Sequence, residues 1–398
     1  MAPTPLCLPA FTGNDTSALR MSRYLVKALT PVALLVWTLP AHAASYIFPG
    51  NLPASCVANS SGTFLCSSLT LAAGDTLTVA VPTTITVNGP LKTGMSSKIN
   101  SGEAASKLTL VILGVSNLGD SSSVNANITG GGAVTLGDKS SIVGTVMTMT
   151  GVVNIGKRST VVGAITTSSA AINVDDASTI TGAITTTVAG VVTIGNDSTV
   201  VGNITTGSGA VTVGQRSKVD GAITTLIAGA ITIGKSTVVT GTVSTTYLGS
   251  AVGAGAITIG DSAEVDGNLT TNTGAITVGK SSMVFKTIRT NDGAITVGDN
   301  TTLGGSACTA NSGAITVGDK TNVSGNVETM MAGAITVGDK SNVGGGVTIY
   351  GAGAKTIADS ATVGKKIGAT CDVMVAKAGP QPPPTIKSRV WRQLFMRS

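Results

Sequence analysis

Only one histidine occurs in the 398 residues, and it is His42. It sits in Ala41-His42-Ala43, after a largely apolar run from Ala28 to Leu39 and a basic start at Arg23 and Lys27. That order is the pattern of an export signal cleaved after Ala43, with Met21 the expected initiator and residues 1–43 removed. A retained membrane anchor is the rival reading, but spanning takes about 20 apolar residues and the run is shorter. The mature chain is therefore expected to lack both histidine and a transmembrane helix. Loss of the imidazole removes Ser-His-Asp chemistry, Cys-His chemistry and His-ligated metals together.

The other reactive side chains are few. Of five cysteines, Cys7 falls in the discarded segment. Cys56 and Cys66 bracket a turn-rich loop and read as a hairpin-closing disulfide in an oxidising compartment, against the alternative of two unrelated thiols. No C-x-x-C pair is present, so a thiolate metal site has no support, and neither metal nor cofactor is expected. Asp175 and Asp176 are adjacent carboxylates. Glycosidic cleavage needs two carboxylates about 5–10 Å apart across the bond, whereas neighbours in a strand point to opposite faces. Asp175 reads instead as a substitute for a turn glycine.

Composition says what must position these residues. Charged residues are 11%, aromatics 3% and hydrophobic residues 42%, with 52 glycines. The apolar side chains are mostly Val, Ile and Ala, which favours pleated, extended structure. The expected fold class is all-β. A net charge of +6 suggests an anionic partner such as envelope polysaccharide, while the scattered basic residues give no nucleic-acid site.

The pattern Val134-Thr-Leu136-Gly137 recurs as Val153-Asn-Ile155-Gly156, Ile172-Asn-Val174-Asp175 and Val192-Thr-Ile194-Gly195, and on to Ile335-Thr-Val337-Gly338. Leu136, Ile155, Val174 and Ile194 lie 19, 19 and 20 residues apart. One longer step of 26 separates Ile233 from Ile259, where Tyr247 to Gly255 adds a loop. A second signal, Val-x-Gly-x-Ile, fills each unit, as in Val161 to Ile165, and a third short segment starts at the Thr pair. Every unit repeats the same order of features, which antiparallel hairpins would not do. A coil of about 19–20 residues, rising about 4.8 Å per turn, satisfies it. The reading is a single-stranded parallel β-helix or solenoid, with glycine at corners that need positive φ; a β-sandwich is the runner-up. Residues 130–367 make about twelve coils, about 55–60 Å long. Val143 or its neighbour Ile142, with Ile165, Ile184, Ile204, Ile223, Val243, Leu269 and Ile288, is expected inside. Cys308 and Cys371 are then about three coils or about 14 Å apart. A disulfide needs Cα atoms within about 7 Å, so the pair is expected to be unlinked.

Outward positions form ladders. Thr135, Thr193, Thr212, Thr232, Thr258, Thr277, Thr296, Thr316 and Thr336 place a hydroxyl on one face, with Asn154 and Asn173 in the same column. A solvated strand face explains that; a water-ordering array of the ice-binding kind is the sharper alternative. Asp299, Asp319, Lys320, Asp339 and Lys340 form a charged turn ladder.

The ends differ. Residues 44–107 read as an N-terminal cap with the disulfide, 108–367 as the repeats, and 368–398 as a Pro-rich linker with a basic, aromatic tail. The units Gly-Ala-Ile-Thr-Val-Gly-Asp with Val-x-Gly-x-Val, for example 313–327 and 333–347, resemble the bactofilin, or polymer-forming cytoskeletal, family. They are also similar to secreted bactofilin-type repeats of some bacterial surface proteins. The resemblance covers roughly 108–367. It implies a right-handed, three-faced β-helix that assembles end to end into non-polar filaments without nucleotide or metal. This chain departs from the family in its length and export signal, and its cap is expected to close one end. The expected function is an exported, periplasmic or surface-located rod, structural or adhesive and without catalysis. Self-assembly or polysaccharide binding would supply the partner; a polysaccharide-cleaving enzyme is the alternative.

Overall fold

Why a 19-residue unit closes into one coil is visible in residues 153–167. Val153–Ile155, Thr160–Val162 and Ile165–Thr167 are three short strands, each with its aliphatic residues inward. Turns separate them, so the chain makes one triangular circuit and lands above its start. The computed structural model describes residues 43–245 and 255–367, and every strand type stacks on its counterpart in the next coil. Three parallel sheets result, of 15, 16 and 16 strands, here called the first, second and third faces in the order just given. The fold is an all-β solenoid of about 15 turns, about 70 Å long at the usual spacing of about 4.8 Å.

Stacking is strictly in register. Ile165 pairs with Ile184, Ile184 with Ile204, and Ile204 with Ile223, so one inward column is continuous isoleucine. All of these are fully buried, as are Val243, Leu269 and Ile288. Ile142 takes the inward position of its strand and Val143 points out. The register survives the long step: Ile231–Ile233 pairs with Ile257–Ile259, although residues 246–254 lie outside the described residues.

Two details of the coil differ from the sequence reading. Val161 and Ile165 belong to different faces, and Gly163 between them is a corner with φ of 149°. A Cβ there would lie 2.1 Å from the Gly144 carbonyl oxygen in the preceding coil, so position 163 admits only glycine. The third strand accordingly begins at Ile165, before the Thr pair. Conversely, the left-handed corner between the first and second faces is not glycine's. Lys139, Arg158, Asp197, Arg216, Lys320 and Lys340 hold it with φ of 55–57°. Such a residue costs roughly 1–2 kcal/mol in isolation. Here it is fixed by its neighbours: the Arg158 N–H donates to the Asp176 carbonyl at 3.0 Å, in the next coil.

Residues 44–107 already belong to the same three sheets. Ser45–Phe48 pairs with Thr76–Val79, and Thr63–Cys66 with Thr83–Val87, all parallel. The exception is the antiparallel hairpin Cys56–Ser60 with Thr63–Cys66, which carries the Cys56–Cys66 disulfide. Phe48 and Phe64 pack edge to face beneath it, with centroids 4.8 Å apart, and close the core at that end.

At the C-terminal end Cys308 is disulfide-bonded; Cys371, and with it the expectation that the two are unlinked, lies outside the described residues. The chain does not run straight on past the last coil. Instead, the Ile367 N–H donates to the Asn326 Oδ1 at 3.0 Å, and the Asn326 Nδ2 donates to the Ile367 carbonyl at 2.7 Å. Asn326 lies two coils below, so the chain turns back immediately after Val363. The export signal, His42, Cys7, Cys371 and the tail lie outside the described residues.

Candidate functional site

A solenoid offers faces and ends, and each face has a distinct surface chemistry. The first face carries the Thr column. Thr193, Thr212, Thr232, Thr258, Thr277, Thr296, Thr316 and Thr336 stack in unbroken register, one per coil. Thr135 stacks on Asn154, and the Asn173 side chain donates to Asn154 at 2.9 Å. From Thr212 onward these residues are exposed, flanked by a column of alanines such as Ala275, Ala294 and Ala314.

The second face holds a paired array that the sequence reading passed over. Thr160, Thr179 and Thr199 form one column, and Val162, Thr181 and Val201 the column beside it. Ser141 and Val143 extend it one coil downward. The signal was present as T-x-V, but its second member was read as a choice between two core residues. Above it, Lys218 and Asp220 replace the array with charge.

Between these faces runs a turn ladder of carboxylates. Asp138 Oδ1 accepts from the Lys157 N–H at 2.8 Å, and Asp319 Oδ1 from the Asp339 N–H at 2.8 Å. Asp175 is exposed and sits where other coils have glycine, its N–H donating to the Ile155 carbonyl at 2.9 Å. Asp176 Oδ1 accepts from the Asn196 N–H at 2.8 Å, so the adjacent pair is divided between a corner and a coil-to-coil bond. Arg216 lies 2.7 Å from Asp197, Lys280 lies 2.8 Å from Asp299, and Lys235 lies 3.2 Å from Asp261. These cations hold the three carboxyls below the usual carboxylate range, chiefly by donating hydrogen bonds to them. Asp299, Asp319 and Asp339 thus bind the turns to one another. Lys320 and Lys340 occupy left-handed corners.

Inside the turn is a buried hydroxyl column, also missed. Ser178 Oγ donates to the Gly156 carbonyl at 2.9 Å and accepts from the Ser159 N–H at 3.2 Å. The same bonds recur at Ser140, Ser159, Ser198 and Ser217. Its mark in the sequence is a Ser or Thr three residues after the turn Gly. Among the described repeats the column is interrupted at Ala263 and lacks its hydroxyl again in the last coil, at Ala361.

The ends are chemically unlike. At the N-terminal end Phe48, Phe64 and the Cys56–Cys66 hairpin cover the core. At the C-terminal end Lys355–Ile357 and Thr362–Val363 are the last strands of their sheets. Ile349, Ile357 and Val363 are only partly covered there. Among the described residues no cluster of three potential metal ligands occurs, and no helix is long and apolar enough to cross a membrane. Compared with known protein families, with curated proteins and with solved structures, the chain matches none.

Proposed function

We propose that this is an exported structural or adhesive rod that works by display and assembly rather than by turnover. The observation that supports this reading most is continuity. Three sheets repeat in register through about 15 turns, with inward positions filled by aliphatics. Enzymes on such scaffolds normally interrupt them with site-bearing loops, and the sequence repeat has one longer step, between Ile233 and Ile259. The end-to-end assembly implied by the bactofilin resemblance takes a specific form here. Among the described residues the N-terminal end is covered and no strand follows the last ones at the C-terminal end, so the partner is a second copy meeting the first through that same edge. Such a contact is isologous and self-limiting, so the product is a double rod rather than an open filament. Sedimentation against concentration tests it: the chain should dimerise and Ile357→Asp should remain monomeric while keeping its β-structure. A strictly monomeric parent, or Asp175-dependent cleavage of a polysaccharide, would remove the reading and promote the enzyme alternative.

The second-face array favours one further reading, ice binding, because it offers two adjacent Thr/Val columns where the first face offers one Thr column. Thermal hysteresis that disappears in Thr181→Lys but not in Thr277→Lys is its expected signature; equal loss in both variants would reject it.

A further inference from the structure

The buried hydroxyl column has a charged member at its N-terminal end. Ser45 pairs with Thr76 and Thr76 with Lys98, so Ala44, Asp75 and Ser97 hold the same position in three successive coils. Farther up, as at Ser140 and Ser159, a neutral hydroxyl takes this position and accepts the N–H of the column residue one coil below. The Ser122 N–H donates to Ser140 Oγ at 3.0 Å, and the Ser140 N–H to Ser159 Oγ at 3.1 Å. In the first step the same bond is made to a carboxylate: the Ala44 N–H donates to Asp75 Oδ1 at 2.7 Å. Among the described residues Asp75 is the one ionisable side chain of the column.

A carboxylate is costly there. Asp75 is 4% exposed, and a buried charge is unfavourable unless it is paired. Its second oxygen accepts from the Ala72 N–H at 2.7 Å. No lysine or arginine among the described residues forms an ion pair with it. A serine would accept the Ala44 N–H as serines do in the coils above, so an amide donor alone gives no reason for the charge. The donor itself supplies one. Ala44 is the residue that follows the expected cleavage after Ala43. Ala43 is exposed and Ala44 half-buried, so the bond between them lies where the chain enters the fold.

We infer that Asp75 is the counter-ion of the mature chain's α-ammonium group, and that removal of the export signal completes the first coil. Hydrolysis of the Ala43–Ala44 bond by a peptidase of the exporting compartment consumes one water. The Ala43 carbonyl leaves as a carboxylate, and the Ala44 nitrogen becomes an ammonium, its charged form at neutral pH. One of its protons stays on Asp75 Oδ1, and the others face the side that Ala43 vacates, where water reaches. The Thr76 N–H, donating to the Ala44 carbonyl at 2.9 Å, holds the residue in place. Before cleavage the buried carboxylate meets neutral donors only. After it the charge is compensated, which ties Ser45–Phe48 more firmly to Thr76–Val79. The inference rests on the export part of the proposed function and is independent of assembly and adhesion.

The test uses the full chain, produced with export into an oxidising compartment, beside Ala43→Leu, whose larger side chain blocks a cleavage site that requires a small residue. N-terminal sequencing of the processed parent should read Ala44 first. Any other first residue would overturn the inference at the cleavage site rather than at Asp75. Hydrogen exchange in Ser45–Phe48 then reads the ion pair. Asp75→Asn should speed it about tenfold or more in the processed chain and at most about threefold in the uncleaved Ala43→Leu chain, because only the former loses an ion pair. A second readout needs no change at Asp75. At neutral pH the Ala44 α-amine should be acylated about tenfold more slowly in the folded chain than in urea, since a carboxylate partner favours the unreactive charged form. Equal acceleration of exchange in the two chains would reduce Asp75 to a backbone cap and overturn the inference, as would equal acylation of the folded and unfolded protein.

Discussion

At the scale of single residues, each column turns one substitution into a test of the coil. Ile223 is fully buried between Ile204 and Val243. Ile223→Asp would bury a charge with no partner, at an expected cost on the order of 3–5 kcal/mol; chemical denaturation would show it as a lowered midpoint. The hydroxyl column predicts a pair of opposite sign. Ser178→Ala strips the Ser159 N–H of its acceptor and should cost about 1–3 kcal/mol. Ala263→Ser fills the gap, giving the Gly234 carbonyl a donor, and should raise stability by about 0.5–1.5 kcal/mol. If the two variants moved the melting temperature in the same direction, the column would not be the adhesive described here. The core column was readable in advance because Ile165, Ile184 and Ile204 recur at the coil period. The role of Gly163 was not, since it depends on the Gly144 carbonyl one coil away, a contact that no local pattern contains.

At the scale of elements, the hairpin and the turn ladder govern separate behaviours. Removing the Cys56–Cys66 bond, as Cys66→Ser, frees a 10-residue separation and should cost about 2–3 kcal/mol. The loss should stay local: hydrogen exchange should accelerate in Cys56–Ser60 and Thr63–Cys66, and not in Ile223–Thr225. The turn ladder sets the acid response. Asp197, Asp261 and Asp299 are held below their usual range by Arg216, Lys235 and Lys280, so the native state binds fewer protons than the unfolded chain. Their contribution is present above the unfolded carboxylate value of about 3.9 and lost as pH falls below it. Melting temperature should hold steady from neutral pH toward pH 5 and fall below about 4, less steeply in high salt because the pairs are exposed. The alternation Val-Thr-Val-Gly announced the first-face strand. The strain at the next corner went unseen because Lys139 and Arg158 are unusual left-handed residues, stabilised only by bonds from adjacent coils.

For the whole solenoid, the two ends decide what a rod can become. The N-terminal end is finished by a hairpin and two aromatic rings, while at the C-terminal end Ile357 and Val363 are half-covered and, among the described residues, no strand pairs beyond the last ones. The sequence announced this asymmetry in its cysteines and its degenerate last repeat. The return of the chain over the third face was not readable, because Asn326 and Ile367 are 41 residues apart and share no motif. The measurement that bears most directly on the assembling-rod account is electron microscopy of the purified protein, beside Ile357→Asp. The account predicts uniform rods about 70 Å long for the variant, and for the parent rods of twice that length joined at one end. Globular particles, or parent rods that stay single at every concentration, would contradict it.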